Sequence, residues 1–576
     1  MRFGEGKVTF KDGMHKEFDC ILKFLSLDLY FSKTPARMYK PLLYAVIALL
    51  LSSCQKKQRA DLIVTNAVVY TVNDSFSTAQ AFAVTDGRFQ AVGTDKEILS
   101  GYKSGNHLDA GGKTIVPGLI DGHCHFYNLG VFMQKVDLVG TQSYREVLER
   151  VVEFQKDKQS DFIIGRGWDQ NDWERTEYPT RSELDRLFPH TPVALTRIDG
   201  HAMLVNGAAL ELAKIDADTE VEGGEIVTEN GRVTGILVDN AMDLVQAVIP
   251  PSDQATDIKS LKDAEELCFS LGLTTVSDAG LSKGTIDLID SLQRSGDLKI
   301  RVYAMVSATP ENLNHYLGEG PYKTERLHVS SFKVYADGAL GSRGAVLKEP
   351  YSDREGHFGA MVTSLDTLAE MARRISRSEF QMNTHAIGDS ANAFVLKTYA
   401  QSLKSQTNRR WRIEHAQVVS PSDFMYFTEI LPSVQPTHAT SDMYWAEDRL
   451  GPERVKGAYA FGELLEINGR VVLGTDFPVE EVNPMLTFYA AVARKDLAGN
   501  PEGGFQVENR LNREQTLKGM TLWAAYANFE ENEKGSIEAG KFADFVILDK
   551  NIMSVEIDEV PDIKVTGTFL GGEKVH

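Results

Sequence analysis

The residues best able to do chemistry are His123 and His125, in the run Thr114-Ile-Val-Pro-Gly-Leu-Ile-Asp-Gly-His-Cys-His-Phe126. Two histidines one residue apart at the end of an apolar strand point to the same face, so their imidazoles stand side by side with little freedom. That arrangement suits a divalent metal. The pair alone is a weak sign. It gains weight because further ligand types recur at the ends of later apolar runs: Lys333 and Asp337 in Phe332-Lys-Val-Tyr-Ala-Asp337, His385 in Asn383-Thr-His385, His415 in Arg412-Ile-Glu-His415, and Asp476 in Leu473-Gly-Thr-Asp476. A lysine inside an apolar strand is costly to bury as a free ammonium. Either Lys333 pairs with Asp337, or it is carboxylated and becomes an anion whose two oxygens can bridge two metals. Cys124, between the histidines, faces away from them by alternation and reads as packing.

Such ligands need a frame that brings distant segments to one place. Apolar strands alternating with helical patterns are the signature of a parallel sheet. Eight core strands can be read, at 115–125, 273–279, 300–306, 331–337, 381–386, 411–416, 432–437 and 471–476. Eight favours an α/β fold of the closed TIM (β/α)8 type, whose active sites form at the C-terminal strand ends. Residues 115–529 are therefore expected to form a metal-binding barrel domain, closed by a helix over 514–529. Residues of about 140–260 do not fit the count and read as a large insertion after the first strand, with strand-like pieces at 161–168, 192–199 and 224–237 and a turn at Asn230-Gly231. Residues 61–114 and 530–576 share a short-strand character, with a hairpin signal at Asp86-Gly87. They are expected to join as a small β-sandwich formed from both ends of the chain.

The 576 residues carry a formal net charge of −20 and no long basic run, which argues against nucleic acid as a partner. The N-terminus reads differently from the rest. Pro41–Leu51 is apolar, follows Lys40, and precedes Ser52-Ser53-Cys54. The run is too short to span a bilayer but fits a secretory h-region. Leu51-Ser-Ser-Cys54 is similar to a bacterial lipobox, so residues 38–54 are expected to be a lipoprotein signal, with Cys54 lipidated and residues 55–60 a linker. That places the protein in the bacterial cell envelope, held to a membrane by lipid. Residues 1–37 resemble neither signal nor domain; the expectation is an over-extended N-terminus, with Met38 the true start. Of four cysteines, Cys124 and Cys268 remain in the mature chain, too few for a disulfide framework.

The motifs together resemble the amidohydrolase superfamily, in its YtcJ-like branch that includes N-substituted formamide deformylases. The matching stretches are Val116–His125, Gly165–Asp169, Lys333–Arg343, Thr384–Asp389, Glu414–Gln417, Gly474–Pro478 and Gly535–Asp544, so the resemblance covers essentially 61–576. It implies that His123, His125 and Asp476 hold a buried metal, that His385 and His415 hold a more exposed one, and that carboxylated Lys333 bridges them. Zinc suits the imidazole-rich set, although manganese, iron or nickel can occupy similar ligands. The implied reaction is hydrolysis of an amide- or formamide-type C–N bond in a small molecule by a metal-activated hydroxide, with Asp476 as proton shuttle. His201 and His438 are further catalytic candidates. Trp168, Asp169 and Arg343 are candidates for substrate contact, with packing or ion pairing as the alternatives. Homodimers are common in the superfamily. Competing readings are a mononuclear deaminase, which does not need the lysine, and a surface-anchored lipoprotein that binds without catalysis.

Overall fold

The computed structural model describes residues 57–576, except 199, 222, 223, 251, 252 and 405. The expected extension at 1–37, the signal at 38–54 with Cys54, and the start of the linker lie outside the described residues.

Eight parallel strands form the barrel of the central sheet: β1 (Leu119–Cys124), β2 (Leu273–Leu281), β3 (Arg301–Ser307), β4 (Leu327–Tyr335), β5 (Gln381–Ala386), β6 (Arg412–His415), β7 (Leu431–Val434) and β8 (Val472–Leu473), with the two-residue Tyr322–Lys323 added antiparallel to β4. They pair in that order, each with the next. The strands are almost wholly buried, as a sheet covered on both faces requires. No ladder joins β8 to β1, so the barrel is nearly closed. The seam is held by the segment following β8. Asp476 N donates to His123 O at 2.8 Å and His125 N to Phe477 O at 2.8 Å. The Asp121 carboxylate accepts from Thr475 Oγ1 at 2.7 Å and from His123 N at 3.1 Å. A side chain thus bonds both edges where the ladder is missing.

Two expected elements divide. The strand expected over 115–125 breaks at Gly118, because Thr114–Pro117 pairs with Phe545–Leu548 in another sheet. A Cβ at Gly118 would stand 2.2 Å from Thr274 Oγ1, so only glycine allows the chain to pass from one sheet to the other. The helix expected over 514–529 splits into Arg513–Gly519 and Leu522–Ala527. Between them the Met520 carbonyl accepts from Ile120 N at 2.8 Å. The tight seam also leaves no room at Gly474, where a Cβ would lie 2.5 Å from His123 N. Gly474→Ala is expected to cost ~1–3 kcal/mol through forced backbone shifts. Calorimetry on the metal-free protein should show a lowered Tm; an unchanged Tm would mean the seam relaxes freely.

Both chain ends build the sheets outside the barrel. One holds Leu62–Thr65, Ala81–Thr85, Arg88–Gly93 and His107–Asp109, the other Val68–Tyr70, Thr78–Ala79, Thr114–Pro117, Phe545–Leu548, Val565–Leu570 and Glu573–Lys574. Leu62, Phe82, Phe89, Ile115, Phe545 and Phe569 from the two sheets share one apolar cluster. Between β1 and β2, a separate six-stranded sheet runs from Val136 to Asp239. Its hairpin turns at Asn230 and Gly231, both with positive φ (50° and 75°), as an Asn-Gly turn of this kind requires. Among the described residues no helix is long and apolar enough to cross a membrane.

Candidate metal centre

His123 and His125 sit on β1 and just after it, Lys333 near the end of β4, His385 near the end of β5, and His415 at the end of β6. Asp476 lies past β8. The barrel therefore delivers six side chains from five segments to its C-terminal mouth. Strand alternation places Lys333, His123 and His385 inward. His415 and Asp476 reach the same space differently, through left-handed backbone (φ 75° and 64°) that turns each side chain at its strand's end.

The contacts converge. Asp476 Oδ1 lies 3.2 Å from His125 Nε2 and 3.4 Å from His123 Nε2, yet forms no aligned hydrogen bond. The Lys333 Nζ is 3.0 Å from His123 Nε2. The rings of His385 and His415 stand 4.5 Å apart, and His385 Nε2 is buried without a hydrogen-bond partner. One ligand atom from each of His123, His125 and Asp476 lies within 4.8 Å of the others, and the same holds for His415, His438 and Asp476. Buried lone pairs that face one another without protons between them suit a cation, and a donor set of imidazoles and carboxylate suits a divalent ion.

Protonation tendencies agree with that. Burial, reinforced by the Lys333 ammonium, pushes His385 down to about 3. Burial and then His385 hold His415 well below its ordinary range. Both are neutral imidazoles at neutral pH and can offer lone pairs. Burial pushes Lys333 down to about 8. Among the described residues no carboxylate forms an ion pair with Lys333. Asp337, the expected alternative partner, instead accepts backbone hydrogen bonds from Val346, Ile387 and Gly388 at 2.8, 3.0 and 2.8 Å. His438 behaves oppositely. Burial opposes its charge, but hydrogen bonds to Asp476 Oδ2 (3.3 Å) and Glu480 Oε1 (2.9 Å) push it up to about 10.

The remaining candidates are engaged elsewhere. Trp168 is fully buried in the apolar core of the Val136–Asp239 sheet, its Nε1 donating to Leu195 O at 2.7 Å. Asp169 pairs with Arg197 and accepts from Asn171 N at 2.9 Å. Arg343 makes a two-pronged pair with Asp353 at 3.0 and 2.8 Å. His201 is exposed and bonded to Asp239 at 2.9 Å. Cys124 is buried, with Sγ donating to Ser277 O at 3.6 Å.

A profile described as "Amidohydrolase family" matches residues 107–576. The chain belongs to the amidohydrolase family. It is 30% identical to YtcJ of Bacillus subtilis, over 88% of this chain and 98% of that protein. It is 26% identical to the N-substituted formamide deformylase of Arthrobacter pascens, over 89% and 98% respectively. An uncharacterized metal-dependent hydrolase of Pyrococcus furiosus superposes with a TM-score of 0.71 at 28% identity, over 86% of this chain and all of that one. This amidohydrolase is thus a metal-dependent hydrolase of the class acting on carbon–nitrogen bonds.

The sequence reading missed Glu414. In this amidohydrolase its Oε2 accepts from His123 Nδ1 at 2.6 Å, with both side chains fully buried. That bond fixes the tautomer and aims Nε2 at the ligand space. Gln435 does the same for His415, Nδ1 to Oε1 at 2.8 Å. A signal for Glu414 existed: alternation on β6 sets it on the same face as Arg412, one step below the mouth. Glu414→Gln is expected to weaken metal affinity about 10–100-fold. Competition with a chelator would measure it, and an unchanged affinity would remove Glu414 from this role.

Proposed function

We propose that this amidohydrolase hydrolyses an amide- or formamide-type C–N bond of a small molecule, using two zinc ions. His123, His125 and Asp476 would hold one, His385 and His415 the other, and carboxylated Lys333 would bridge them. The observation that carries the reading is the set of unsatisfied groups at one point: Asp476 Oδ1 and His385 Nε2 without hydrogen bonds, and buried Lys333 without a carboxylate. A free ammonium there would pay a heavy desolvation cost, whereas a carbamate formed with carbon dioxide turns the same side chain into an anionic ligand. The bound ions would supply Lewis acidity and lower the pKa of water from 15.7 to about 7.

The chain's own residues then move the protons. Asp476 accepts the proton lost as water adds to the carbonyl carbon and returns it to the leaving nitrogen, so the C–N bond breaks to give an acid and an amine. His438, bonded to Asp476 Oδ2 and steadied by Glu480, holds that carboxylate in place. A buried Lys333 with no carboxylate partner among the described residues favours this reading over a mononuclear deaminase. The test is a panel of amides, formamides, hydantoins and lactones on metal-loaded protein from residue 55 onward, with metal content measured in parallel. Failure to turn over any member would sink the reading and favour a binding lipoprotein.

The similarity of Leu51–Cys54 to a lipobox supports attachment of this enzyme to a bacterial envelope membrane by lipid on Cys54. Cys54→Ala, expressed as the full chain in bacteria, should move the protein from the membrane to the soluble fraction. Equal membrane recovery for both forms would count against lipidation. A homodimer is part of the same proposal, and sedimentation of the mature chain would test it.

A further inference from the structure

Tyr335 ends β4, two residues past Lys333 and on the same inward face, one step nearer the mouth. Its ring lies against the ligand set. The centroid is 5.6 Å from that of His385, its register partner on β5, and 4.9 Å from Lys333 Nζ. Yet Tyr335 is 39% exposed, whereas the eight residues before it on β4 are all buried. Among the described residues its hydroxyl makes no hydrogen bond. A part-exposed tyrosine packed on two metal-ligand residues, with its hydroxyl unpaired, has a donor to spare at the entrance to the site.

A glycine on β2, two strands away in the sheet, accommodates that hydroxyl. Gly280, on β2, has φ +100°, and a Cβ built there would come within 3.3 Å of the Tyr335 hydroxyl and 3.6 Å of Ser307 Oγ. Ser307 is not available as a partner in that space, because its Oγ donates to Gly280 O at 2.6 Å. The missing side chain at 280 therefore leaves the phenol hydroxyl uncrowded where it passes the glycine.

We propose that Tyr335 is a catalytic residue whose hydroxyl donates a hydrogen bond to the carbonyl oxygen of the bound substrate. The inference rests on the C–N hydrolase reading above. A simple N-substituted amide has one good acceptor, its carbonyl oxygen, since the nitrogen lone pair is delocalised. That oxygen gains negative charge as water adds, so the bond strengthens toward the transition state. The phenol keeps its proton throughout; it supplies a fixed dipole.

The experiment uses 4-nitroformanilide, an N-aryl formamide whose hydrolysis releases 4-nitroaniline and formate. In metal-loaded full-length protein, Tyr335→Phe is expected to lower kcat about 10²-fold with KM and metal content little changed. A ring that serves packing alone would instead tolerate Phe and fail with Tyr335→Leu, and turnover by Tyr335→Phe within twofold of the parent overturns the proposal. A second readout does not depend on turnover. With 3-fluorotyrosine at position 335, the ¹⁹F resonance should shift on titration with the same anilide. A shift without hydrolysis would count against N-aryl formamides as the substrate class while supporting the contact, and a silent resonance overturns the contact whether or not the anilide is cleaved.

Discussion

Lys333→Met is expected to reduce turnover of the metal-loaded enzyme by at least about a thousandfold and to lower its metal content, while raising the Tm of the metal-free protein. The two signs follow from one fact. Lys333 is 1% exposed, with no ion-pair partner among the described residues and one contact to His123 Nε2 at 3.0 Å, so a methionine of similar length removes a buried ammonium without a counter-charge from the core. Replacing such a group by an apolar one of like volume is neutral or stabilising. The same change removes the amine that carbon dioxide would modify, and with it the bridging oxygens. Bound metals supply most of the charge stabilisation in such a site, hence the size of the loss. Adding bicarbonate during metal loading should speed activation of the parent and leave Lys333→Met unaffected. Full metal content and activity in the variant would overturn the bridging role.

Asp476→Asn is expected to cost about 10²–10⁴ in kcat, the range for loss of a positioned acid–base group. Asparagine keeps the shape but cannot take a proton from water and return it to nitrogen. Two effects must be separated, because Asp476 also faces His123 and His125 at 3.4 and 3.2 Å. Metal analysis of the same samples separates them: low activity with full metal isolates the shuttle, and low metal shows a ligand lost. Near-parental turnover with metal bound would remove Asp476 from the shuttle role. The hydrogen bond from His438 to Oδ2 leads to a further expectation, that His438→Ala leaves Asp476 misoriented and gives a smaller loss than Asp476→Asn.

The positions of the ligand types could be read from the chain because they obey short-range rules. Inward residues on a buried parallel strand alternate, so His123 and His125, Asn383 and His385, and Lys333 and Tyr335 fall on one face by spacing alone. Each also ends an apolar run, and the C-terminal ends of barrel strands meet at one mouth. The turns at Asp86-Gly87 and Asn230-Gly231 were equally local, since both need positive φ, which those residue types tolerate. His415 follows no such alternation with Arg412, and only its residue type and its place at a strand end mark it as a ligand.

Other features depend on partners hundreds of residues away. Glu414 matters because it meets His123, and Lys333 does not pair with Asp337 because backbone amides of 346, 387 and 388 engage that carboxylate. Trp168 lies beside a motif in sequence but in the core of a separate sheet in space. The break at Gly118 depends on Thr274 and Asp544, and the seam at Gly474 on the backbone of His123. Local sequence thus determined which residue types arrive at the barrel mouth, because backbone periodicity is local. Their roles were decided by packing across the barrel, because burial, hydrogen-bond partners and unpaired charge arise only when distant strands come together.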